Sequence, residues 1–227
     1  MSEPPDPLGS TLRLQVEQFV RPLYVGLDGA AGFDRVSRLR RHAAALAGGG
    51  GTAATGAGGR GADPRLLELL LLFHGVVDRL GSLAPGGRLD LFLRSAGVGE
   101  ELARRVRTGL GRLAAAPSSA EEALIHDALL LAEAGVAATA ERLMAAGRRR
   151  LPLARVLAQL DPGASPERYR TEAGIRLGAA RREEALAWLE ELRRRLEEGD
   201  DPGRERSEGK RGWPDQFTGT RPPNPSS

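Results

Sequence analysis

The 227-residue chain has no cysteine, three histidines, and an aromatic content of 4 %. Without cysteine there is no disulfide framework, no thiolate metal site and no thiol nucleophile. With His42, His74 and His126 as the whole supply of imidazole, a zinc site would need nearly all of them or lean on carboxylates. Few aromatics leave no stacking platform for single-stranded nucleic acid. Lysine is almost absent as well: 32 of the 33 basic residues are arginine. That usage raises the isoelectric point while the net charge stays at +3. The coding bias of a GC-rich genome accounts for it, so nucleic acid is disfavoured as a partner. No apolar run reaches the length of a membrane span, and the start MSEPPDPLGS lacks the basic and apolar segments of a signal peptide. The expectation is a cytoplasmic protein with no membrane partner.

What is present is helical periodicity, with no alternating strand pattern. The chain reads as an all-α bundle of about seven to eight helices occupying residues 11–198, between a flexible N-terminus (1–10) and a disordered tail (199–227). Leu12, Val16, Phe19 and Leu23 fall at helical spacing, with Pro22 expected to end or kink that helix. Phe33, Val36, Leu39, Ala43 and Leu46 form a second stripe, and Arg38, Arg40 and Arg41 crowd the surface beside it. Residues 48–62 hold no apolar side chain larger than alanine and read as a mobile loop. They lack the spacing of a phosphate-binding loop. Asp63 and Pro64 then open the helix RLLELLLLFHGVVDRL, which is apolar nearly all round and therefore central. Two helices follow around Gly97, then a long one over residues 118–147, a short one in RRRLPLARVLAQL, and a last one expected to be capped by Ser165 and Pro166. Its apolar face is read as Tyr169, Ala173, Leu177, Ala180, Leu189, Leu192 and Leu196. In the tail, Trp213 and Phe217 are the large apolar residues.

The long helix over 118–147 carries the sharpest signal. Ser119 and Glu122 have the form of a capping box, in which the hydroxyl accepts from the Glu122 amide and the carboxylate reaches back to the Ser119 amide. One turn further on, Asp127 has Ala123, Leu124, Leu130 and Leu131 as its helical neighbours, so a carboxylate projects from an apolar face. Buried there, it must be paired, hydrogen-bonded or bound to a cation.

These helices resemble, in order, those of the HD-domain superfamily of metal-dependent phosphohydrolases. A G-[WF]-D-H-x-x-R-[VL] motif is matched by Gly32, Phe33, Asp34, Arg35, Val36, Ser37, Arg38 and Leu39, with Arg35 where the family has a ligand histidine. The L-L-H-D-[IV]-G-[KR] motif is matched by Leu72, Phe73, His74, Gly75, Val76, Val77 and Asp78, with Gly75 in place of the metal-bridging aspartate. Around Asp127 the family pattern E-A-x-I-x-x-D-A-D-x-L-x-x-x-G is resembled by Glu122, Ala123, Ile125, Asp127, Ala128, Leu129, Leu131 and Gly135, with one residue fewer between Ile125 and Asp127 and with Leu129 in place of the second acid. The adjacent His126 belongs to this last motif and is incidental. The resemblance implies vestigial metal positions at Arg35, His74, Gly75 and Asp127, and anion or partner contacts at Arg38, Asp78 and Arg79.

Two of four ligands are thus replaced, and a guanidinium does not give up its proton to bind a metal. The reading is a degenerate pseudoenzyme with no catalytic residue and no cofactor, one that binds a protein partner or a small anionic ligand. The alternative is a phosphohydrolase using Mn or Mg on a nucleotide or other phosphate ester, with His74 and Asp127 as the remaining ligands. On the first reading Arg35 replaces the cation and pairs with Asp127, and the double change Arg35→His with Gly75→Asp rebuilds the metal site. Oligomeric state is not legible.

Overall fold

The computed structural model describes residues 6–27, 32–48, 61–113 and 117–199. Most of the 48–62 loop and nearly all of the tail, with Trp213 and Phe217, lie outside them. Among the described residues there is no strand, and the fold is all-α. Ten α-helical segments run α1 Ser10–Tyr24, α2 Asp34–Gly48, α3 Pro64–Phe73, α4 Val77–Leu80, α5 Arg88–Ser95, α6 Glu100–Arg112, α7 Ala120–Ala132, α8 Gly135–Arg148, α9 Leu153–Gln159 and α10 Glu172–Gly199. Short 3-10 turns occupy His74–Val76 and Pro166–Arg168. The chain divides after Leu189 into two units, a point inside the expected span 11–198.

Asp63 caps α3 by accepting from the amides of Arg65 and Leu66, with Pro64 at the first helical position. Every residue from Leu69 to Phe73 is buried, so α3 is the central helix its composition predicts. It packs on α1, α2, α6 and α7, while α2 lies along α7. Phe19, Phe73 and Phe92 cluster at one end, with Phe19 and Phe92 stacked at 4.0 Å between centroids.

The helices outnumber the expectation because two long ones are broken. The segment after Phe73 tightens into a 3-10 turn over His74–Val76 before α4. The 118–147 helix breaks at Ala134, where the backbone turns extended, and Gly135 takes φ +89°. The two halves, α7 and α8, meet at 57°, a bend of the kind that follows from a backbone break and not from flexibility. Pro22 does not end α1, which continues to Tyr24. The Ser119 hydroxyl accepts from the Glu122 amide as expected, but the Glu122 carboxylate reaches the Ser118 amide, at 2.7 Å, one residue earlier than the capping-box expectation. On α10, Ala180 is exposed and Ala185 is buried in its stead.

Charged groups inside the bundle are answered. Glu68, 6 % exposed, is held by Arg40 and Arg13, so Arg40 belongs to the interior network and not to the solvated face expected of it. Asp90, 1 % exposed, accepts from Arg107, from Arg94 at 3.1 Å and from the Gly86 amide at 2.8 Å. Arg107 is itself nearly sequestered. Truncating one partner of such a pair strands a buried charge, so Arg107→Ala should lower stability by about 3 kcal/mol in denaturant unfolding. Arg104→Ala, which breaks an exposed pair with Glu101 on the same helix, should leave it nearly unchanged.

Candidate functional site

Asp127 is fully buried on α7. Its Oδ1 accepts from the Arg170 amide at 2.8 Å. Its Oδ2 accepts from the Thr171 amide at 2.8 Å and from the Thr171 hydroxyl at 2.7 Å. Thr171 immediately precedes α10, and its hydroxyl oxygen accepts in turn from the Gly174 amide at 2.9 Å. The threonine is therefore the N-cap of α10, and Asp127 holds the cap. A carboxylate accepting several donors at a helix N-terminus is satisfied both by hydrogen bonds and by the helix dipole.

This contact needs a bare backbone on α10. A methyl group on Gly174 would overlap Asp127 Oδ2, and one on Gly178 would overlap the Tyr169 ring. The pair Gly174 and Gly178, one turn apart, lets α7 and the residues before α10 approach closely. Tyr169 lies against that stripe with a hydroxyl that has no partner among the described residues. Burial, and secondarily the charge of Asp127, push its phenol above the ordinary range.

The start expected for the last helix at Ser165 and Pro166 is therefore corrected. Those residues open only the short 3-10 turn, and α10 begins at Glu172 with Thr171 as its cap, where the carboxylate supplies what the free amides need. The expected Arg35 to Asp127 pair is also corrected. Arg35 Nη2 donates to Glu133 Oε1 at 3.0 Å, near the α7 C-terminus, and Asp127 draws its donors from residues 170 and 171.

At the other two positions, His74 Nδ1 lies 2.8 Å from the Leu71 carbonyl oxygen. A carbonyl accepts only, so Nδ1 carries the proton and Nε2 of the neutral ring is a bare lone pair, buried without a partner among the described residues. Burial first, and the charge of Arg35 after it, push His74 down to about 4. Gly75 faces Tyr24: a methyl group there would come within 2.7 Å of the phenol oxygen and 2.9 Å of the ring. The Tyr24 hydroxyl donates to the Leu72 carbonyl at 3.1 Å and fixes the ring in that place. Burial pushes its phenol up to about 12.

The residues present do not fit the cation that the resemblance implies. Asp127 is engaged by three donors, Arg35 brings positive charge, and Gly75→Asp would collide with Tyr24 before offering a ligand, against the expectation that it helps rebuild the site. Among the described residues no three histidine or acidic side chains are gathered as a cation would require.

Of the expected contact residues, Arg38 pairs with Glu141 at 3.1 Å. Arg79 donates to the Leu23 and Val25 carbonyls and ties the end of α1 to α4. Asp78 is exposed. His126 Nε2 donates to the Arg168 carbonyl at 3.1 Å, a structural link. Arg181, which no signal in the sequence singles out, donates to the Leu131 carbonyl at 2.8 Å and faces the His42 ring at 3.3 to 3.5 Å. Burial, then Arg181, Arg41 and Arg38, push His42 down to about 4, so the neutral ring accepts from the guanidinium. Thr171 and Gly174 were also missed, though T-E-A-G followed by a second glycine four residues later carries both signals: a cap residue and a close approach.

Comparison with known proteins finds no matching family model, no matching curated protein and no matching solved structure.

Because Asp127→Ala leaves the buried Thr171 amide and hydroxyl and the half-buried Arg170 amide short of an acceptor, it should cost about 3 kcal/mol. Gly174→Ala, which keeps the carboxylate but denies it room, should lower the melting temperature as well. Exposed Glu172→Ala should not.

Proposed function

We propose that this chain is a non-catalytic helical domain of HD-like type, a binding or regulatory protein that holds an anionic ligand or partner without turning it over. The engagement of Asp127 supports this most. A carboxylate that binds a catalytic cation must present lone pairs to it, and here three donors within 2.8 Å take them. Removing the acid would damage the start of α10, so its retention has a structural reason that requires no chemistry.

A cavity of about 800 Å³ supports the anionic class of ligand. It lies where α2 meets the bend between α7 and α8 and the first half of α10, and Arg38, Arg41, His42 and Arg181 line it together with Glu141 and Glu184. Arg38 is drawn to Glu141 and Arg181 to the Leu131 carbonyl, while Arg41 is exposed and has no ion-pair partner among the described residues. A phosphate or carboxylate group there would meet guanidinium groups that fork onto both oxygens of an anion.

The phosphohydrolase alternative is favoured by one observation, the bare Nε2 of His74, which is a competent metal ligand. Thermal unfolding with and without Mn²⁺ or Mg²⁺, beside a turnover assay on nucleotides and generic phosphate esters, separates the two. The expected outcome is no metal-dependent shift, no turnover, and a melting temperature raised by inorganic phosphate in the parent more than in Arg41→Glu. Metal-dependent turnover abolished by Asp127→Asn would overturn the proposal.

A further inference from the structure

The turn between α8 and α9 lies apart from the site and has no role in it. Residues 142–160 hold five arginines and no acidic residue. Arg148, Arg149, Arg150 and Arg155 are exposed, and among the described residues none of these side chains has a hydrogen-bond or ion-pair partner. Arg40, Arg105 and Arg107, by contrast, are each paired. The same stretch exposes Met144 (59 %), Leu151 (47 %) and Leu153 (46 %).

Its backbone adds an independent observation. Arg150 N–H donates to the Gly147 carbonyl at 2.9 Å, and Leu151 N–H to that of Ala146 at 3.1 Å. This pair of bonds closes a helix C-terminus and puts the intervening residue in the left-handed region, where glycine is favoured. Arg150 occupies that position with φ 55°, the one positive value among the described non-glycine residues. In a chain with 30 glycines, a strained arginine whose side chain has no partner among the described residues points to a contact outside them.

We infer that the α8 to α9 turn docks on an anionic lipid bilayer, with its guanidinium groups on headgroup phosphates and Leu151, Leu153 and Met144 reaching the boundary of the acyl chains. Cations interleaved with exposed apolar side chains call for an anionic layer directly above an apolar one, and arginine stems lie along apolar surface while their heads stay at the phosphates. Single-stranded nucleic acid would engage the arginines and leave the leucines in water, and the stretch holds no aromatic for base stacking. The expectation of no membrane partner, drawn from the lack of a spanning segment, is set aside here for a contact that does not span. The inference stands whether or not the proposed function does.

Sedimentation of the full chain with vesicles tests it. One set is phosphatidylcholine alone; the other is phosphatidylcholine with about a quarter phosphatidylserine. The chain should partition to the second set. Each arginine at an anionic surface contributes about fivefold, so Arg148→Gln with Arg149→Gln should weaken partitioning about 25-fold. Leu151→Ser with Leu153→Ser should weaken it as well, without lowering the melting temperature. Arg150→Gly should raise the melting temperature and weaken partitioning about fivefold, a split that a merely structural role would not give. Failure of the parent to bind the anionic vesicles overturns the inference, and so does binding that the arginine pair leaves unchanged. A leucine pair without effect, with equally tight retention on single-stranded DNA, assigns the surface to polyanions and overturns it too.

Discussion

The geometry of the site depends on one interaction, the seating of Asp127 under the start of α10. A carboxylate with no exposed surface is among the costliest groups to place in a core, and the bundle answers it with the free amides of a helix N-terminus and one hydroxyl. Each side solves the other's problem: the helix has donors without acceptors, and the acid has lone pairs without donors. Thr171 joins the two by donating to Asp127 while accepting from Gly174. Several local features follow. Position 174 must be glycine, Tyr169 is turned onto Gly178, and α10 cannot begin at Pro166 although the sequence there would cap a helix well.

The same economy governs the other positions that the resemblance singles out. Tyr24 takes the space a side chain at 75 would need, and Arg35 is drawn to Glu133 near the α7 C-terminus. His74 is held neutral by burial, with its proton on the nitrogen that faces Leu71. Each residue thus has a structural task, and together they do not present a set of ligands to one point. The proposed binding role needs none of these groups to be free.

Helix class and the central place of α3 were legible, because a ten-residue run with seven buried members leaves little choice of environment. So was the burial of Asp127, which follows from its neighbours at three and four positions. Its partner was not legible. A resemblance between motifs suggested Arg35, but the donors come from residues 43 and 44 positions further along, and periodicity within one helix carries no information about which loop closes over it. The broken helices were missed for a related reason: alanine at 134 suits a helix and a lone glycine at 135 is tolerated in one, while the break also rests on a tertiary contact, the Gly135 amide donating to the Pro162 carbonyl. Arg181 was invisible as a bridge because an arginine on an outer helix reads as solvated until the carbonyl it reaches is known.

Amide hydrogen exchange at Arg170 and Thr171 tests the central claim most directly. Neither amide belongs to a helical ladder, so without the carboxylate both should exchange at the rate of an open loop. The account predicts protection comparable to the α7 core in the parent, and its loss at these two amides in Asp127→Ala under conditions where α3 stays protected. Fast exchange at both positions in the parent would contradict it.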